Sequence, residues 1–167
     1  FLLPPTSFDS MTYHLSRIMM IQSEGNLFLE NFADYRQDIM PIGYDILNFL
    51  YLRFFTDYGL TTFGFLSYTI ILSGVFVLVS KLYSDVQLSK TICLMSASLN
   101  MFLVNASSTH NDLILAAITI VCFVSAYNFL KTRAYIHQFI LVVALLFGLN
   151  TKFLFGAFFL PFIFSYG

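Results

Sequence analysis

From about residue 61 onward the chain is organised as long apolar blocks, at about 61–80, 91–104, 112–130 and 134–149, with a fifth from 153 to 167, separated by short polar stretches. Each block approaches the roughly 20 residues that a helix rising about 1.5 Å per residue needs to cross a hydrocarbon core about 30 Å thick. A helix is also the form in which a lipid-facing segment satisfies its own backbone hydrogen bonds. The pattern therefore predicts an all-α, polytopic transmembrane helical bundle over 61–167. The block at 91–104 is short, and Ser96, Ser98 and Asn100 within it predict packing against other helices rather than lipid on every side.

Residues 6–60 follow another pattern. Asp9, Glu24, Glu30, Asp34, Asp38, Asp45 and Asp57 stand against Arg17, Arg36 and Arg53, seven against three, a formal charge of −4. This reads as an outer, water-facing loop containing interfacial helices. Residues 10–22 form the first of these, with Leu15, Ile18, Met19 and Ile21 on an apolar side and His14 and Arg17 on a polar one. Pro41 starts a second helix that runs to about Phe55, since proline suits a first helical turn. Asp45, Asn48 and Arg53 make a full crossing there expensive, so this helix is expected at the interface or sheltered by protein. Residues 1–5, apolar up to Pro4-Pro5, read as the end of a truncated span, and the whole chain as a piece of a longer protein.

Composition agrees with a lipid environment: 58% of residues are hydrophobic, 10% are charged, and mean hydropathy is +0.79. A net charge of −1 gives no indication of a nucleic-acid partner. Cys93 and Cys122 lie inside apolar blocks, where a small, weakly polar side chain packs well. Lys81 and Lys90 flank one short loop and Lys131 and Arg133 lie in another, whereas the 105–112 loop has neither lysine nor arginine. The positive-inside rule puts the first two loops in the cytoplasm. By alternation, the acidic loop, 105–112 and Asn150-Thr151-Lys152 fall on the opposite face, bringing Asp9, Asp112 and Lys152 to one side of the membrane.

These residues fit both plain and chemical roles. Asp9 suits a helix cap or solvated loop, and equally a general base or metal ligand at the membrane boundary. His14 and Arg17, three apart, suit snorkelling toward headgroups or gripping a phosphate. Asp112 at a helix start is favoured by the helix dipole, and also suits an acidic group that shares a site, and a divalent cation, with Asp9. Lys152 suits snorkelling or a point charge for a phosphate arriving from the bilayer. No glycine-rich nucleotide loop, nucleophilic-serine elbow or Cys-x-x-Cys pair is present, so a lipid-borne donor fits better than a soluble nucleotide.

Phe8-Asp9-Ser10-Met11-Thr12-Tyr13-His14-Leu15-Ser16-Arg17, Arg36-Gln37, Pro41-Ile42-Gly43-Tyr44-Asp45-Ile46-Leu47, Thr109-His110-Asn111-Asp112-Leu113 and Gly148-Leu149-Asn150-Thr151-Lys152 occur in an order that resembles bacterial membrane glycosyltransferases of the GT-C class, in particular the family 39-like, protein-mannosyltransferase-related group. The resemblance implies transfer of a sugar from a polyprenyl-phosphate carrier to a lipid, glycan or protein acceptor. It also implies a multi-pass location in a bacterial inner membrane with the site on the periplasmic face. It makes Asp9 the catalytic acid of the first outer loop, as base toward the acceptor or as metal ligand. His14, Arg17, Asp112 and Lys152 become donor- or acceptor-binding residues. Many relatives carry an acidic pair where Asp9 is followed here by Ser10, and Asp45 stands where a glutamate is frequent. The alternative is a transporter or channel piece in which Asp9, Asp112 and Lys152 line a polar path, an arrangement that calls for charges at mid-bilayer.

Overall fold

The structure is a computed structural model, and it describes residues 12, 14–26, 40–55, 59–108, 111–157 and 159. Those residues are overwhelmingly helical, with no strand among them. The helices are α1 (Leu15–Glu24), α2 (Gly43–Phe54), α3 (Thr62–Tyr83), α4 (Val86–Ala97), α5 (Asn100–Ala106), α6 (Asn111–Thr132) and α7 (Tyr135–Thr151), followed by a helical turn at 154–157.

Two helices, α3 and α6, are long and apolar enough to cross a membrane. Each has 22 residues, about 33 Å at 1.5 Å per residue. They keep most of their surface outward: only 17% of the apolar window of α3 and 28% of that of α6 is buried inside the protein. The outward side chains are large and apolar, Phe65, Leu66 and Ile70 on α3 for example, which is the surface expected where the surrounding medium is itself apolar. At 17 residues, the apolar α7 is shorter than either.

The block expected as one helix at 91–104 is divided. α4 ends at Ala97, Ser98 caps it with its N–H on the Leu94 carbonyl, and Leu99 is extended before α5 begins. Tyr68 on α3 donates its hydroxyl to the Ala97 carbonyl at 2.9 Å, so a carbonyl freed by the break keeps a partner. The loop expected at 81–90 is also much shorter. Only Ser84 and Asp85 separate α3 from α4, Ser84 being left-handed at φ 54. Asp85 caps α4, accepting from the Gln87 and Leu88 amides at 2.8 and 3.0 Å, and so starts the helix earlier than hydropathy alone indicates.

α4 and α5 together run back along α3, with the Cys93 thiol facing the Leu72 carbonyl in the second half of α4 and Ala106 against Gly64 at the α5 end. A Cβ on Gly64 would lie 2.8 Å from the Ala106 carbonyl oxygen, so only glycine admits this backbone approach. α6 then runs parallel to α3, and α7 returns antiparallel along α6. Ile71, Ala106, Leu113 and Ala117 form one buried cluster among α3, α5 and α6, and Ile118, Cys122, Phe155 and Phe159 form another under α7.

This connectivity gives the bundle two distinct ends. One gathers the start of α3, the α5–α6 connection and the end of α7. The other gathers the end of α3, the start of α4, the end of α6 and the start of α7. The pair α1–α2 attaches to the first, because α2 meets α7 where a Cβ on Gly43 would come within 2.6 Å of the Asn150 carbonyl oxygen.

Candidate functional site

α1 stops at Gly25, whose left-handed φ of 65 lets its N–H reach the Ile21 carbonyl at 3.0 Å. The side that α1 buries keeps Ile18 and Ile21 from the apolar side expected, but takes in His14 and Arg17 and leaves out Met19. Arg17, Ile18 and Ile21 are buried, and Met19 is 68% exposed. His14 and Arg17, expected on a polar side open to headgroups, instead turn inward against α2. The reason is Asp45. It occupies the first turn of α2, where the helix dipole favours a carboxylate, and it is fully buried. Its Oδ2 accepts from the Arg17 Nη1 at 2.7 Å and its Oδ1 pairs with the His14 Nδ1 at 2.5 Å. A buried guanidinium requires a buried counter-charge, and Asp45 supplies it. The carboxylate contact places a proton on His14 Nδ1 and fixes the orientation of the ring.

Two neighbours of Asp45 on α2 are buried without matching partners. Asn48 is 0% exposed, and neither its amide nitrogen nor its oxygen makes a hydrogen bond. The Tyr44 hydroxyl lies near Asn48, one turn along, but outside hydrogen-bonding geometry. Burial, with the Asp45 charge adding to it and Asn48 opposing, pushes the Tyr44 phenol well above its ordinary pKa. The Tyr44 ring also meets the His14 ring edge-on, with centroids 6.0 Å apart.

The second group lies at the same end of the bundle. Asp112, in the first turn of α6, and Lys152, just past α7, form an ion pair at 2.6 Å although they are 40 residues apart. Both remain accessible, with side chains 57% and 31% exposed, so the pair is open to exchange with an incoming ligand. Behind it Asn111 Nδ2 reaches the Thr151 carbonyl at 3.5 Å. The contact between Gly43 and Asn150 joins the two groups through the backbone, with Asn150 two residues before Lys152 and Gly43 two before Asp45.

Of the residues singled out in the sequence, the structure thus unites His14 with Arg17, and Asp112 with Lys152. Asp9 and His110 lie outside the described residues, so the separation of Asp9 from Asp112 is not defined. Among the described residues no three His, Cys, Asp or Glu side chains gather as a metal site, and the Asp112 carboxylate already holds an ammonium. Asp45 is the member that hydropathy did not single out. Its signal was an acid one turn into an apolar helix, where an unpaired charge is too costly to keep. Compared with models of known protein families, with curated proteins and with solved structures, the chain matches none.

Proposed function

We propose that the chain is part of a multi-pass membrane glycosyltransferase, which moves a sugar from a polyprenyl-phosphate donor to a lipid, glycan or protein acceptor on the non-cytoplasmic face. The observation that carries this reading is the Asp112–Lys152 pair. It sits at the end of apolar helices, beside the α2–α7 contact, where a phosphate headgroup arrives while its chain stays in lipid. Charges at helix ends fit such a site better than a conduction path through mid-bilayer.

In this mechanism Lys152 exchanges Asp112 for the donor phosphate and neutralises charge as it leaves. Asp9 takes the proton of the acceptor hydroxyl. The acceptor oxygen bonds to the anomeric carbon from the face opposite the phosphate. The bond from that carbon to the phosphate oxygen breaks with its electron pair going to the phosphate, and the configuration inverts. The Arg17–Asp45–His14 cluster holds α1 and α2 together beside this site. The resemblance also brings in a divalent cation, which Asp9 and Asp112 would hold and which would add to the charge neutralisation that Lys152 supplies.

The test is sugar transfer by membranes containing the protein, supplied with polyprenyl-phosphate-linked sugar. Asp9→Asn and Lys152→Gln are each expected to lower turnover by about 100-fold or more. Turnover equal to wild type in both variants rejects the assignment.

A further inference from the structure

Among the described residues, the cations at the opposite end of the bundle are not balanced by ion pairs. Four of the eight lysines and arginines, Lys81, Lys90, Lys131 and Arg133, lie at it or within two turns of it, and among the described acids only Asp85 does. Asp85 is committed to capping α4 through the Gln87 and Leu88 amides. Among the described residues none of the four cations forms an ion pair. Lys81 bonds the neutral Asn128 amide, and the Tyr127 hydroxyl donates to the Lys81 carbonyl. The Lys81 and Lys131 ammoniums both approach the Tyr127 ring, at 5.8 and 5.9 Å from its centroid, so two like charges share one aromatic partner. Arg133 stands over Phe129 at 5.7 Å, at a left-handed φ of 55. Helix dipoles do not supply the missing charge, because the C-termini of α3 and α6 and the N-termini of α4 and α7 meet here and their partial charges cancel.

We propose that this end binds the phosphate headgroup of an anionic phospholipid, between Lys81 and Lys131 around Tyr127. A lipid rather than a soluble phosphate is indicated by what surrounds the cations. Leu82, Tyr83, Leu130, Tyr135 and Ile136 are all exposed beside them, which is how an aromatic and apolar girdle meets acyl chains below a headgroup. The phosphate oxygens accept from both ammoniums and relieve their repulsion. The inference rests on the membrane placement proposed above, not on sugar transfer.

The experiment is native mass spectrometry of the full chain released from vesicles that contain phosphatidylglycerol and phosphatidylcholine with identical acyl chains. Wild type is expected to retain phosphatidylglycerol about tenfold in preference, and Lys81→Gln/Lys131→Gln to lose most of that preference. Lys81→Arg/Lys131→Arg, which keeps both charges, is expected to keep it. If the double glutamine variant loses its helical circular dichroism, Lys131→Gln alone is used, since its ammonium makes no hydrogen bond among the described residues. Its preference is expected to fall severalfold. Equal retention of the two lipids by wild type, an unchanged preference in the glutamine variant, or release of bound lipid by millimolar inorganic phosphate overturns the inference. Failure of the chain to insert into either vesicle overturns it together with the membrane reading, whereas insertion with no preference overturns it alone.

Discussion

Removing the Asp45 carboxylate is the sharpest test of how α1 is held. Asp45 is 0% exposed and Arg17 1% exposed, with 2.7 Å between carboxylate and guanidinium and 2.5 Å between carboxylate and imidazole. In Asp45→Ala the guanidinium keeps its burial and loses the Asp45 carboxylate. Breaking a buried pair on one side costs about 3–5 kcal/mol. That cost falls on the α1–α2 contact, because α1 packs on α2 more than on any other described helix. Read as hydrogen exchange of the α1 amides in lipid nanodiscs, it corresponds to a loss of protection of about two to three and a half orders of magnitude. The α3 and α6 amides, which do not touch the pair, are expected to be unaffected. The control is Asp45→Ala combined with Arg17→Met, which removes both charges and keeps the aliphatic stem. It is expected to regain at least about 2 kcal/mol over the single variant, because an apolar replacement of a buried pair is often neutral. Unchanged α1 protection in Asp45→Ala, or a double variant no better than the single one, refutes the idea that charge compensation sets this contact.

Three further outcomes follow from neighbouring positions. Gly43→Ala places a Cβ 2.6 Å from a backbone oxygen of α7, which cannot swing aside as a side chain can, so a destabilisation of about 1–3 kcal/mol, read as increased exchange in α2, is expected. Asn48→Leu removes an amide that is buried without hydrogen bonds. It is expected to raise stability by about 1–3 kcal/mol in thermal or denaturant unfolding, and destabilisation would mean that the amide has partners after all. Tyr44 is buried with its pKa raised, so folding favours the protonated phenol. Above the ordinary value of 10.0 the unfolded chain sheds a proton that the folded chain keeps, and stability should fall as pH rises past that point. Tyrosinate absorbance should show one of the ten tyrosines ionising only with unfolding, and Tyr44→Phe should abolish that lag.

Hydropathy was enough to place α3 and α6, because long uninterrupted apolar runs leave a helix little alternative. It failed where a single polar contact decides a boundary. Asp85 moves the α4 start forward by capping, and the break at Ser98–Leu99 depends on Tyr68 reaching the Ala97 carbonyl from a different helix, which no local pattern encodes. It also misjudged α1. Sorting residues by polarity put Arg17 outside and Met19 inside, and the reverse is observed because Asp45, 28 residues on, makes the burial of Arg17 tolerable. Asp112 and Lys152 were separately visible as helix-end charges, but only the antiparallel return of α7 along α6 makes them a pair.

The two ends of the bundle also bear on how a whole-chain charge should be read. A net −1 argues against any strongly basic surface, and that holds only if the charges are mixed. Among the described residues they are sorted. Of the four acids there, Glu24, Asp45, Asp85 and Asp112, Asp85 alone lies at the end that carries Lys81, Lys90, Lys131 and Arg133, and on the other side Asp45 and Asp112 are spent on internal work. Asp45 is consumed by Arg17 and His14, and Asp112 by Lys152. What each end has left to offer a partner is therefore different in kind. At the α2–α7 end the cation is held ready by an acid that it can exchange for a phosphate, which suits a ligand that comes and goes. At the other end the cations form no ion pair among the described residues, which suits a ligand that stays.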